Sequence, residues 1–147
     1  MPPPVGGWLQ WDPAEWQQLM ESEDGPVGRD LGRRAEIVTQ GAKRRAPVSP
    51  DGSHGRGSGY MRSHIGWRYG RDTLGLYAVV ESTARTPDGA PYALFVEVGT
   101  RPHEIRTKGR YPLRNRKTGQ VFGPVVDHPG TAPQPYLRPA LDDLGGA

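Results

Sequence analysis

Apolar positions recur at helical steps near the N-terminus, alternate with polar ones in the middle, and gather in short proline-framed runs toward the C-terminus. Asp12-Pro13-Ala14-Glu15 has the form of a helix start: an aspartate that can cap free amides, a proline preset for the first turn, and a glutamate able to reach back to the cap. A short helix is expected from there to about Met20, with Trp16, Leu19 and Met20 on one side. Asp24-Gly25-Pro26 interrupts this pattern and restarts it, with Asp24 or Gly25 as the second cap. Val27, Leu31, Ala35, Val38 and Ala42 then follow at steps of three or four. They form one stripe of a longer helix that Pro47 ends near Ala46.

Residues 47–59, rich in Gly, Ser and Pro, read as a flexible loop projecting from the domain. Residues 60–69 and 74–82 read as strands, joined by a turn at Gly70-Arg71-Asp72-Thr73. Residues 92–97 have strand propensity, but the stop at Gly99 favours a short helix, which is the reading adopted. Residues 103–108 and 120–126 are expected to pair around Lys117-Thr118-Gly119 as a long basic hairpin that leaves the core. A short helix from Pro133 or Pro135 to Leu144 closes the chain, with Tyr136, Leu137, Ala140, Leu141 and Leu144 at helical spacing. The fold class is therefore α+β: N-terminal helices packed on a small, mostly antiparallel β-sheet, with a long basic hairpin and a short C-terminal helix. Residues 1–26 are read as an acidic, Trp-bearing arm, and 27–147 as one domain in which 47–59 is loop and 103–126 is hairpin.

Composition narrows the function. With 34% apolar residues, 21 Gly and 16 Pro in 147 residues, one modest core must carry long loops or arms that order against partners. The absence of cysteine removes a disulfide framework, a thiolate metal site and a cysteine nucleophile, and fits synthesis inside a cell. No basic-then-apolar leader opens the chain, and no apolar run nears the roughly 18 residues of a spanning helix. A soluble chain without a membrane partner is expected. Charge is unevenly spread: residues 1–24 carry Asp12, Glu15, Glu21, Glu23 and Asp24 without a Lys or Arg. Residues 101–117 carry Arg101, Arg106, Lys108, Arg110, Arg114, Arg116 and Lys117 against Glu104 alone. Opposite patches on one small chain suit head-to-tail contact between copies, or an acidic partner.

Candidate chemistry is sparse. His54, His64, His103 and His128 lack the spacing of a local ligand pair, and a metal cluster would need Glu97, His103 and His128 brought together by the fold. Ser49, Ser53, Ser58 and Ser63 lie outside any nucleophile elbow, and residues 54–59 lack the Gly-Lys-Ser/Thr ending of a phosphate loop. No enzymatic activity, cofactor or metal is expected. The basic stretch 106–117, interleaved with Tyr111 and near Phe122, has the composition to grip phosphates, to stand in solvent, or to meet the acidic arm of a neighbouring copy. Glu97 is expected to accept local backbone or hydroxyl hydrogen bonds, with an ion pair to an arginine of the next copy as the alternative. Gly99 and Gly130 suit backbone corners of positive φ, which the hydroxyls of Thr100 and Thr131 can tie. Trp8, Trp11 and Trp16 are either anchors for another protein surface or core residues.

Tyr92-Ala93-Leu94-Phe95-Val96-Glu97-Val98-Gly99-Thr100, a variable basic hairpin, and His128-Pro129-Gly130-Thr131-Ala132-Pro133-Gln134-Pro135-Tyr136-Leu137-Arg138-Pro139-Ala140-Leu141 together resemble the neck or tail-completion proteins of long-tailed bacteriophages, the gene-product-ten-like family. The shared order of elements, including the stretch 43–48 after the long helix, extends the resemblance over about residues 27–144 and leaves 1–26 outside it. The resemblance implies a non-enzymatic virion component at the head-tail junction, assembled in the host cytoplasm as a ring, expected as a hexamer. Its partners would be other connector and tail proteins, and DNA passing through the channel without sequence recognition. A tail terminator is the alternative within the same class, and a nucleic-acid-binding protein the alternative of a different class. The positions carried over are Glu97, Gly99, Thr100, His128, Pro129, Gly130, Thr131, Pro135, Tyr136, Leu137 and Arg138, as structural or interface elements.

Overall fold

A stripe of small residues lets one helix lie close against a β-hairpin, and the other elements gather around that contact. The computed structural model describes residues 12–49, 57–115 and 118–146. In it, α1 (Pro13–Glu21) and α2 (Pro26–Arg45) come first. Asp12 caps α1 as expected, its Oδ1 accepting from the amides of Ala14 at 2.8 Å and Glu15 at 3.4 Å. Gly25 is the cap of α2, Pro26 stands in its first turn, and the Ala46 amide closes the far end on the Ala42 carbonyl.

The buried side of α2 is Gly28, Gly32, Ala35, Val38, Thr39, Gly41 and Ala42, while Val27 and Leu31 of the expected stripe are only half-buried. Each glycine makes room for a different neighbour: Gly28 for the Ser22 and Glu23 backbone, Gly41 for Asp143, and Gly32 for two aromatic rings of the facing strand. A Cβ on Gly32 would stand 2.6 Å from the Tyr69 hydroxyl and 3.1 Å from the Trp67 ring. Those rings meet edge to face at 5.0 Å. Tyr69 donates to the Gly28 carbonyl at 2.7 Å, and Trp67 Nε1 to Glu36 at 2.9 Å.

The facing hairpin is β1 (Ile65–Asp72) and β2 (Gly75–Ser82), antiparallel from Ile65↔Ser82 to Asp72↔Gly75. Two expectations are corrected here. Residues 60–63 are not strand but a single helical turn, α3 (Tyr60–Ser63), started by Gly59 at φ 73° and closed by His64 Nδ1 on the Tyr60 carbonyl at 2.7 Å. The hairpin turn is at Thr73-Leu74 rather than at 70–73, because Gly70 is a paired strand residue lying under the Tyr77 ring. The Asp72 carboxylate accepts from the Leu74 amide at 2.8 Å, and Gly75 takes up the reversal at φ 118°.

After β2 the chain forms α4 (Tyr92–Val98), the helix chosen over a strand. It continues into a second antiparallel pair, β3 (His103–Arg106) and β4 (Val125–His128), running from His103↔His128 to Arg106↔Val125. The class is α+β as expected, and among the described residues the strands form two separate two-stranded sheets, the second at the base of the basic hairpin. The closing helix is also shorter than expected: it is a 3₁₀ helix at Pro139–Gly146, and residues 136–138 form a bend and turn before it. Val38, Ala42, Ala46, Met61, Ile65, Tyr92, Tyr136 and Ala140 pack in the common core. Asp143 of the 3₁₀ helix holds the end of α2 through a two-point ion pair with Arg45, at 2.8 Å on both oxygens.

Candidate functional site

The two Gly-Thr corners meet face to face. Thr100 and Thr131 form an antiparallel bridge, and the Thr100 hydroxyl accepts a further hydrogen bond from the Thr131 amide at 3.0 Å. Gly99 and Gly130 have φ of 72° and 86°, and a side chain on either would strike the opposite backbone, at 2.5 Å from the Thr131 oxygen and 2.3 Å from the Thr100 oxygen respectively. Positive φ and close approach both demand glycine at these corners.

One turn before the first corner, Glu97 reaches the closing segment. Its carboxylate accepts from three successive amides, Tyr136 at 2.7 Å, Leu137 at 2.9 Å and Arg138 at 3.0 Å. The hydrogen bonds are to backbone, as expected, but to backbone some 40 residues away rather than local. Three donors on one carboxylate make a nest that favours the anion. Burial alone would raise the Glu97 pKa, but the amides, with help from the Arg138 charge, hold it below the ordinary glutamate value. The three capped amides directly precede the closing helix, which starts at Pro139. Tyr136 is thereby fixed in the core at 1% exposure, and burial pushes its phenol pKa up.

Between the corners runs the hairpin. Beyond β3 and β4 its arms stay in register at an Arg114↔Val121 bridge, and the Asn115 amide donates to Gln120 at 2.8 Å across the end turn. Every residue of β3 is exposed, as are Lys108, Arg110 and Arg114. Arg106 pairs with Glu104. Arg116 and Lys117 lie outside the described residues, as do Trp8, Trp11 and His54. Trp16 is described and stands at 45% exposure on α1.

His103 and His128 stack at the base of the hairpin, ring centres 5.1 Å apart. His103 Nδ1 faces the Arg101 carbonyl at 2.8 Å and so carries the proton, while His128 Nδ1 accepts from the Gly130 amide at 3.0 Å. Both rings therefore brace the corners. Glu97 is committed to amides, so the imagined Glu97-His103-His128 cluster is not assembled, and among the described residues no three His, Cys, Asp or Glu side chains converge on a metal position. Pro129 and Pro135 are exposed flanks of the second corner and of the clamped segment. Sequence reasoning missed the apolar outer side of α4, where Leu94, Phe95 and Val98 are exposed, and the groove of about 240 Å³ between Phe95, Ile105 and His128.

Residues 27–99 match the family model described as "Bacteriophage HK97-gp10, putative tail-component". Over this span the chain is HK97-gp10-like. The matched span takes in α2, the β1–β2 hairpin, α4 with Glu97, and Gly99, and it stops before the basic hairpin and the closing segment. No curated protein and no solved structure matches the chain. The match indicates a structural protein similar to a bacteriophage tail component, and the family it points to is not one of enzymes. Among the described residues no helix is long and apolar enough to cross a membrane.

Proposed function

We propose that this HK97-gp10-like protein works at the head-tail junction of the virion, as a ring of identical copies, expected as a hexamer, that joins the capsid connector to the tail around the DNA channel. The observation that carries the reading is the way the exposed basic hairpin is mounted. Paired corners, stacked histidines and the Glu97 clamp hold its base rigidly against a small core, while the body of the hairpin stays in solvent. A monomer has no use for so firm a base under an unpaired arm, whereas a ring subunit needs an arm of fixed direction. Copies join through the edges of the β1–β2 sheet, the hairpin and the closing segment, with no bond made or broken. Arginines not consumed by these joints face passing DNA as charges, without reading its sequence. Assembly takes place in the host cytoplasm before the particle is complete.

Capping of the tail tube is the second role that the same geometry allows. Particles carrying a chain shortened between Thr107 and Gly123, whose neighbourhood is already closed by the Thr107 amide on the Pro124 carbonyl at 3.0 Å, separate the possibilities. Normal-length tails that fail to join heads support the junction role, and overlong tails support the terminator role. Normal particles would overturn both. Salt-sensitive DNA binding by an isolated monomer that is missing from purified virions would instead support a nucleic-acid-binding protein.

A further inference from the structure

The two arms of the basic hairpin are unequal. The Thr107 amide donates to the Pro124 carbonyl at 3.0 Å and the Leu113 amide to the Gly123 carbonyl at 3.3 Å, yet Gly123 and Pro124 are neighbours in the chain. Residues 108–112 therefore have no counterpart on the opposite arm and stand out from it as a bulge. Both roots of the bulge are fixed. The Thr107 hydroxyl donates to the Gly109 carbonyl at 2.5 Å and accepts from the Gly109 amide at 3.2 Å, and the Phe122 amide donates to the Leu113 carbonyl at 2.7 Å. Thr107 and Leu113 are half-buried, whereas residues 108–112 are all exposed, Tyr111 at 86%. The charge on the bulge is unmatched. Arg33 and Arg34 pair with Asp30, Arg44 and Arg45 with Asp143, and Arg68 with Glu81, so these cations meet carboxylates of their own chain. Between Ile105 and Val126 the sequence has no Asp or Glu, and among the described residues Lys108 and Arg110 enter no ion pair. Glu104, the nearest acid before the bulge in sequence, is taken by Arg106, and the nearest after it is Asp127.

We propose that residues 108–112 are a contact for the phosphate backbone of duplex DNA, made by the Lys108 ammonium, the Arg110 guanidinium and the Tyr111 hydroxyl without reading sequence. Like charges held side by side on a fixed projection repel one another in the free chain, and a row of phosphates relieves that repulsion. Lysine, arginine and the tyrosine hydroxyl are all donors to phosphate oxygens, and such contacts position a duplex without carrying sequence information. Sites for single strands are grooves in which successive bases stack on several rings, whereas this bulge is a projection with one ring, which favours contact from outside a duplex. The inference rests on the head-tail reading above and deepens it: it names the cations that face the DNA and leaves the joints between copies to other parts of the protomer.

The test is binding of the full chain to fluorescently labelled duplexes of two unrelated sequences, titrated between about 50 and 200 mM salt, with sedimentation velocity run on the same samples. One variant carries Lys108→Ala with Arg110→Ala, and a second carries Tyr111→Phe. A control with Arg33→Ala and Arg34→Ala removes the same charge from exposed positions of α2. The bulge pair is expected to lower affinity about tenfold at low salt, equally for both sequences, and to make the slope of log affinity against log salt shallower by about two. Tyr111→Phe should lower affinity by a smaller factor and leave the slope unchanged, and the control should leave both near those of the unmodified chain. Sedimentation should be the same for all four proteins. No duplex binding by the unmodified chain at low salt, or a control as weak as the bulge pair, overturns the contact and leaves the ring reading standing. Tighter binding to a single strand of the same length, kept in Tyr111→Phe, assigns the ring to base stacking and overturns the duplex assignment. A change in association in the bulge pair makes residues 108–112 a joint between copies and overturns the DNA contact. An unmodified chain that is monomeric at every concentration overturns the ring reading, while the salt slopes still decide the contact.

Discussion

Thr100 and Thr131 exchange backbone hydrogen bonds of 3.0 and 3.1 Å, which join two separate Gly-Thr corners into one closed base for the basic hairpin. Gly130→Ala attacks that base directly. It places a methyl group 2.3 Å from the Thr100 oxygen at a φ of 86°, so the corner must open. A loss of about 2 kcal/mol in chemical denaturation is expected from strain of this kind. Gly109→Ala, in open space on the hairpin, should change stability little and serves as the control.

The Glu97 clamp predicts a pH dependence of definite sign. Its folded pKa lies below the ordinary glutamate value, so its contribution is fully present above the unfolded pKa and is lost as pH falls through the folded one. Asp30 and Asp143 are lowered by hydrogen bonds to arginine, and Glu36 by hydrogen bonds from Gln40 and Trp67, so they weaken in the same direction. Glu97→Gln replaces an acceptor of three amides by a group with one acceptor oxygen and is expected to cost about 2 kcal/mol near neutral pH. The gap between wild type and variant should close as pH drops below the glutamate range. A gap that stays constant into acid would show that the carboxylate charge is not what holds residues 136–138.

A double-mutant cycle tests the contact between α2 and β1. Gly32→Ala alone gains helix propensity of about 1 kcal/mol yet should destabilise, because the new Cβ displaces the Tyr69 hydroxyl from 2.6 Å and breaks its bond to the Gly28 carbonyl. In the Tyr69→Phe background that obstacle is gone. The same glycine change should then cost clearly less, with a coupling of about 1 kcal/mol in denaturant titrations.

Local chemistry made most of the elements readable and left their joints hidden. Asp12-Pro13 and Gly25-Pro26 announce the two helix starts through side-chain and φ preferences that need no partner. Gly70 misled because a glycine reads as punctuation, whereas here it makes room for a ring across the strand pair, something only the Gly70↔Tyr77 register reveals. Val27 and Leu31 misled in the opposite sense: periodicity favours large apolar residues, but the buried side carries Gly28, Gly32 and Gly41, which neighbouring backbone, the hairpin rings and Asp143 approach too closely for a side chain. The two Gly-Thr corners could be picked out by composition, and their pairing across 31 residues could not. Nothing in the run 92–98 signals that Glu97 will cap a segment some 40 residues later, since a nest of amides has no side-chain signature.

Thr39 offers the last prediction, because it is a polar residue where the fold asks for an apolar one. It is 2% exposed on the buried side of α2, and among the described residues its hydroxyl has no hydrogen-bond partner. A buried hydroxyl without a partner loses its hydration and gains nothing in return. Thr39→Val keeps the β-branched shape, so the packing around residue 39 is retained while the desolvation cost is removed. Stability should rise by about 1 kcal/mol, read as a higher denaturation midpoint with an unchanged slope. Thr39→Ala should instead lose stability, because it removes the same hydroxyl but also a methyl group from a closed site. If both substitutions destabilise equally, the hydroxyl is engaged in solution and the helix face is more polar than its burial implies.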